Sequence, residues 1–330
     1  MSPKILMPKL QHYVPQFILR NFTTGKGNQI FVFDKQEDVA FKTNIRNIAS
    51  ESAFYNFAIN GYQFTIEPGL EKHETRAAEV FGKAIRERSL SSLGNEDRVT
   101  IATFIVIQIF RTSYFRDKIA DMNKGLTERI MQYGFDPDKV KGHKLLDEKG
   151  VKDFSIKMLM KNSEHLIPHI LDKKWLLYET RKSDPLFISD NPVAKQNRQD
   201  FGPFWGNLGL TVKGIEIYFP LSKTLSLAML CQSHEETFHD TYKKAEFLRT
   251  VIPGFERKLP VDPEWLENLK RGFEEGVAIP MTAENVVNQN SLQVKWSSRF
   301  VFSSKEDFSL VREMISADPR YKSGMAIRIS

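Results

Sequence analysis

Ile101-Ala102-Thr103-Phe104-Ile105-Val106-Ile107-Gln108-Ile109-Phe110 is the longest apolar run in the chain, and the fold is read outward from it. It falls far short of the roughly 20 apolar residues that a membrane span needs, so it predicts a buried helix. Its apolar residues lie on almost every side of the helix, which implies burial on several sides, as in the central helix of a bundle. Asn95-Glu96-Asp97 reads as the cap before it. The helical pattern then continues from about Asp97 to Tyr133, with a break expected near Gly125. Gln108 and Arg111 are i, i+3 neighbours emerging from this apolar surface. A guanidinium there must meet a carboxylate, a phosphate or carbonyls to offset its desolvation. Two uses stand open: a structural ion pair with glutamates of a neighbouring helix, or an anion-binding Arg111 in a cleft.

Those glutamates lie just upstream. From Pro68 onward Leu70, Ala77, Ala78, Val80, Phe81 and Ile85 form a helical stripe, with proline acceptable in the first turn. Glu67, Glu71 and Glu74 are spaced i, i+4 and i+7 on one side of it, near His73 and Arg76. They are placed to share a metal or to divide into an acid and a base; equally, glutamates in a first turn favour the helix dipole on a solvated face.

The first sixty residues are mainly strand. Gln29-Ile30-Phe31-Val32-Phe33-Asp34 pairs with Phe41-Lys42-Thr43, and two further segments flank Asn60-Gly61, a two-residue hairpin signal. At the start, Gln11-His12-Tyr13-Val14-Pro15-Gln16-Phe17 mixes an imidazole and two amides with large apolar residues. Pro15 keeps His12 to Val14 extended and lets a short helix begin near Pro15, with Phe17, Ile18 and Phe22 toward a core and Gln16 and Arg20 on a neighbouring face. His12, just before that helix, is either a half-buried structural ring or a proton-moving or ligand-binding group.

Beyond the central helix, residues 134–150 are polar and rich in glycine and proline, a loop or connection. A helix from Val151 to about Leu171 carries His165 and His169 at i, i+4, but Pro168 interrupts the turn and makes the pair a poor metal site. Lys174–Glu179 and Leu186-Phe187-Ile188 read as strands, the second running into Ser189-Asp190-Asn191-Pro192. Asp190, at a strand end, suits either chemistry or turn formation. The glycine-rich segment from Phe201 to Gly214 has neither the lysine nor the order of a phosphate loop. Residues 215–220 and 225–231 form an antiparallel pair, expected to build a second sheet with the two preceding strands. Short helices between Glu235 and Leu269, a helix from Thr282 to Lys295 that brings Asn285, Asn288 and Gln289 near one another, a strand at Phe300-Val301-Phe302 and a helix from Lys305 to Ser316 complete the chain. The expected fold is α+β: a helical core with a long central buried helix and small, mainly antiparallel sheets.

Composition is that of a globular protein: 330 residues, 41% hydrophobic, 27% charged and 25 phenylalanines, enough for one large or two ordinary domains. The formal charge of +6 is modest for this length, so nucleic acid is permitted as a partner but not indicated. Cys231 is the one cysteine, which excludes an intrachain disulfide framework and a cysteine-rich zinc site and fits a reducing cytosol. The start of the chain lacks the apolar run and cleavage site of a signal peptide, and no membrane partner is expected.

A chain-long series of motifs carries a family resemblance. It comprises His12-Tyr13-Val14-Pro15-Gln16-Phe17 with Leu19-Arg20-Asn21-Phe22, Leu70-Glu71 with Glu74, Gln108 with Arg111-Thr112, and Phe187-Ile188-Ser189-Asp190-Asn191-Pro192. Phe219-Pro220-Leu221-Ser222 follows, then Asn288-Gln289-Asn290 and Phe300-Val301-Phe302-Ser303. In that order, with the opening motif as the specific one, the chain resembles a bacterial family known as domain of unknown function 4238. The resemblance implies one family-length unit over residues 1–330, not two independent domains. It carries over no catalytic residue and no cofactor.

The residues themselves suggest two functions from different classes. The first is a metal-assisted or acid-base phosphodiester hydrolase acting on nucleic acid. Glu71, Glu74 and Asp190 would hold Mg²⁺ or Mn²⁺, His12 would move the proton, and Arg111 would stabilise charge on phosphate. The second is a non-catalytic binding or interaction module, in which Arg20 or Arg111 pairs with Glu71 or Glu74, and His12 and Asp190 satisfy backbone groups. Nucleotide binding without chemistry is a weaker third, since no glycine-rich phosphate loop follows a strand.

Overall fold

The computed structural model describes residues 10–59, 62–201, 206–252 and 262–324. The elements follow in chain order: β1 (Leu10–His12), α1 (Gln16–Leu19), β2 (Gln29–Asp34), β3 (Val39–Asn44), β4 (Ser50–Ser52), β5 (Asn56–Ile59), β6 (Tyr62–Thr65), α2 (Glu67–Glu87), α3 (Asn95–Phe110), α4 (Ser113–Gln132) and α5 (Glu148–Leu171). The second half holds β7 (Lys174–Glu179), β8 (Ile188–Ser189), β9 (Ala194–Gln196), β10 (Glu216–Ser222), β11 (Leu225–Leu230), α6 (Gln232–Val251), α7 (Pro263–Glu275), β12 (Ile279–Pro280), α8 (Ala283–Trp296), β13 (Phe300–Ser303) and α9 (Ser309–Ala317). This is an α+β fold with a helical core and small, mainly antiparallel sheets.

The apolar run forms α3, buried on nearly every side from Ile101 to Phe110, and it packs between α2 and α5. Asp97 caps its start, accepting a hydrogen bond from the Gly94 N–H at 3.4 Å. The stripe on α2 faces it through Leu70, Ala77, Val80, Phe81 and Ala84. Four rings then join helices to sheet. Phe104 of α3 meets Phe81 of α2 edge-on at 5.2 Å, Phe219 of β10 at 5.8 Å and Phe17 of α1 at 5.5 Å. Edge-to-face contacts of this kind add to the large apolar area that each ring buries.

Phe219 belongs to a five-stranded sheet ordered β12-β7-β11-β10-β9, antiparallel except for the β12–β7 pair. Side chains alternate between its faces. Trp175 and Leu177 of β7 enter the main core with α3, while Leu176 and Tyr178 turn to the opposite face, which α6 and α7 cover through Phe238, Leu266 and Leu269. A second sheet, ordered β3-β2-β13-β8, brings the N-terminal hairpin together with β13. Two-stranded pairs β1–β4 and β5–β6 complete the set; the Asn60-Gly61 turn between β5 and β6 lies outside the described residues.

Four expectations need correction. The long helix breaks at Arg111-Thr112, not near Gly125: Thr112 is extended at ψ 155°, and its side chain accepts the Phe115 N–H and caps α4. A threonine cap ends one helix and starts the next without glycine. Leu186–Ile188 does not join the five-stranded sheet of Lys174–Glu179; Ile188 and Ser189 pair with Phe302 and Val301 of β13 in the four-stranded sheet, so the chain crosses between sheets at Asn191-Pro192. The Glu235–Leu269 region opens with α6, one helix of 20 residues ending at Val251 before its first proline. Pro263 sits at the first position of α7, where a missing N–H costs nothing. The last helix starts at Ser309, later than Lys305.

Replacing Phe104 with alanine removes the ring shared by α1, α2, α3 and β10. We expect a loss of about 3–5 kcal/mol in urea denaturation. A loss below about 1 kcal/mol would show that the ring cluster does not hold the helices to the sheet.

Candidate functional site

Tyr13 and Val14 reach the Ala49 carbonyl, which fixes the extended entry into α1 at Pro15. Carbonyls of this entry become acceptors for core side chains. The Tyr55 hydroxyl donates to the His12 carbonyl at 2.9 Å, and Gln108 Nε2 donates to the Tyr13 carbonyl at 2.8 Å. Arg111 Nε donates to that same Tyr13 carbonyl at 3.1 Å, while its Nη1 donates to Glu74 Oε1 at 2.8 Å. The Arg111 side chain is fully buried and Glu74 is 28% exposed. Burial works against the Arg111 charge; the Glu74 carboxylate, by its charge and its hydrogen bond, offsets it and holds the guanidinium protonated.

His12, Glu67, Glu71 and Glu74 share the lining of one cavity of about 570 Å³, together with Gln16 and Arg20. Three of the five expected site residues therefore meet there, and Arg111 reaches them only through Glu74. Burial lowers the His12 pKa, against hydrogen bonds with the Arg46 and Ile45 backbone and the charge of Glu74. His12 Nε2 and Glu67 Oε2 are sealed from water and lack a hydrogen-bond partner. Burial, reinforced by Glu74 and Glu71, raises Glu67 to about 7. Glu67 is thus the neighbour whose proton is held near neutral pH.

Asp190 lies elsewhere. Its Oδ1 accepts the Ser298 N–H at 2.8 Å and its Oδ2 accepts the N–H groups of Arg299 and Phe300 at 2.7 and 2.8 Å. It is 1% exposed; burial raises its pKa, while the three N–H groups and Lys35 pull it down. It does not line the cavity that holds His12. Glu71 and Glu74 are therefore not joined by Asp190 as a metal-ligand set. Among the described residues no group of three or more His, Cys, Asp or Glu is arranged to hold a metal ion. The reason Asp190 stays apart is structural: at the end of β8 it accepts the backbone N–H groups that lead into the neighbouring β13.

A second cavity, of about 460 Å³, lies on the far face of the five-stranded sheet under α6, α7 and α8. The sequence brought Asn285, Asn288 and Gln289 of its wall together but passed over the strand residues facing them. Their signal was present in Ile215-Glu216-Ile217-Tyr218, where strand alternation puts Glu216 and Tyr218 on one face of a strand buried along its length.

The Glu67 carboxyl sets a pH dependence. Its folded pKa is about 7 against an ordinary 4.5. Below about pH 4.5 both folded and unfolded chains hold the proton and no penalty exists. As pH rises toward 7 the unfolded chain releases the proton first, so stability falls, and above about 7 the full cost is present. We expect Glu67→Gln to raise stability at pH 8 by on the order of 1 kcal/mol after solvent screening of this half-buried group, seen as a higher thermal midpoint. The gain should vanish by pH 4; a gain that persists there would refute the assignment.

Comparison with known proteins agrees with this geometry in extent. The family model described as Protein of unknown function (DUF4238) matches residues 10–307, from β1 to the segment after β13. No curated protein and no solved structure matches the chain. The matched span takes in both sheets, α3 and both cavities, and the chain belongs to the DUF4238 family.

Proposed function

We propose that this chain is a non-catalytic binding or interaction module whose ionisable centre is a structural network. The observation that carries this reading is the commitment of Arg111. Its Nε and Nη1 are bonded to Tyr13 and Glu74, and its Nη2 is sealed from water, so no donor is presented to an incoming phosphate. An anion-binding arginine turns its fork to the ligand. Asp190 supports the same reading, since both oxygens are taken up by backbone N–H groups. Cys231, a free thiol, suits a reducing compartment such as the cytoplasm.

The hydrolase reading has one observation in its favour, the shared cavity of His12, Glu71 and Glu74. In that reading Glu71 and Glu74 ligate Mg²⁺ or Mn²⁺, His12 moves a proton, and nucleic acid is the partner. One pair of measurements separates the two. The network reading expects Glu74→Gln to leave the Arg111 charge without its counter-ion and to lower the thermal midpoint by several degrees, with His12→Ala lowering it as well. It also expects no cleavage of RNA or DNA with either metal. Metal-dependent cleavage that disappears in a normally stable His12→Ala would overturn it.

A further inference from the structure

The far face of the five-stranded sheet carries a buried carboxylate at the wall of a cavity. Glu216 on β10 is 6% exposed in a strand otherwise lined with apolar residues. Its Oε2 accepts hydrogen bonds from Gln196 Nε2 at 2.6 Å and the Tyr218 hydroxyl at 2.7 Å. Its Oε1 accepts none among the described residues. His234 Nε2 stands 3.9 Å from that oxygen, but directs its hydrogen bond to the Gly214 carbonyl at 3.1 Å. Across the cavity, Gln289 of α8 is also 6% exposed, and its Oε1 is sealed from water without a donor. Tyr178 lines the same space, and burial with the charge of Glu216 keeps its phenol protonated.

The Glu216 carboxylate therefore borders a cavity walled by Tyr178, Tyr218, Phe238, Trp265 and Phe273, whereas the sealed Gln289 Oε1 does not open onto it. Arg198 also lines the space but is exposed, where water and salt screen its charge. A buried carboxylate with a free lone pair is costly unless a cation or donor meets it. Aromatic faces attract cations, and charge-assisted N–H to carboxylate bonds are the strong ones. The volume of about 460 Å³ falls in the ordinary range of small-molecule sites.

We propose that this cavity binds a small organic amine in its protonated form, its N–H groups on Glu216 Oε1 and its apolar body against Trp265 and Phe273. The proposal rests on reading the chain as a binding module and names the site and the ligand class. It makes no use of the Arg111 network, so the two can fail separately.

Isothermal titration of the full chain with benzylamine, 2-phenylethylamine, tryptamine and agmatine tests it, against 2-phenylethanol and 3-phenylpropionate as neutral and anionic partners of similar size. At least one amine should bind about tenfold or more tightly than both controls. Glu216→Gln should remove that preference while leaving the thermal midpoint within a few degrees, because the amide oxygen still accepts from Tyr218. Trp265→Ala should weaken the amine about threefold or more. Should Glu216→Gln fail to fold, Glu216→Asp keeps the charge, shortens its reach and should weaken the amine without abolishing it. Absence of binding by all four amines at millimolar concentration, equal binding of amine and alcohol, or amine affinity unchanged in Glu216→Gln would overturn the proposal. If these titrations fail while Glu74→Gln still destabilises, only the ligand class is lost; amine binding alongside metal-dependent cleavage would remove only the non-catalytic reading.

Discussion

A guanidinium sealed in an apolar core sets the terms for the N-terminal half. Arg111 sits where α3 stops and α4 begins, its side chain fully buried and reaching solvent only by way of Glu74. Its charge is tolerable only because Glu74 arrives from α2 and the Tyr13 carbonyl arrives from the entry to α1. Those partners fix the relative placement of three segments far apart in the chain. Apolar packing around Phe104 supplies area but little direction, whereas the ion pair and the shared carbonyl accept one arrangement. The division of labour is physical: rings hold the helices together, and Arg111 decides their register.

The five-stranded sheet is the second organising feature. Because α3 covers one face and α6 and α7 the other, its central strands are buried on both sides, and β11 has no exposed residue from Leu225 to Leu230. Glu216 in such a sheet is out of character for its position. The polar groups at the two cavities differ in a way that matters for function. Around Arg111 the bonded donors meet protein acceptors, while Arg111 Nη2 and Gln108 Oε1 are sealed away unpaired; behind the sheet the Glu216 carboxylate, one oxygen bonded to Gln196 and Tyr218, borders an aromatic-walled cavity.

Much of this was legible in the sequence where the signal is local. The apolar run predicted α3, the stripe from Leu70 to Ile85 predicted α2, and Arg111 emerging from apolar sequence predicted its need for a carboxylate. What failed was non-local or lay with a competing local rule. Gly125 was the conspicuous helix breaker, yet it sits inside α4, and the break came from Thr112, whose side chain supplies the cap. Leu186–Ile188 reads as a strand in any context; that it pairs with β13, over a hundred residues away, is decided by tertiary packing and not by its own residues. Asp190 looked equally suited to chemistry and to a turn, and its partners are N–H groups at the start of β13 that no local reading could supply.

The same reasoning explains why Glu216 was passed over and His12 was not. His12 stands in a motif crowded with ionisable and amide groups, so residue type alone draws notice to it. Glu216 stands in a strand whose neighbours Ile215, Ile217 and Phe219 mark it as ordinary core, and only the alternation of faces separates it from them. A motif rich in polar residues can satisfy itself, as the Gln11, Tyr55, Gln108 and Arg111 contacts largely do. A solitary carboxylate among apolar residues has fewer partners within reach, and here one of its oxygens is left without any among the described residues. What separates the two sites is access: the unpaired Arg111 and Gln108 atoms are sealed from water and from any ligand, whereas the carboxylate behind the sheet borders an open cavity with aromatic walls.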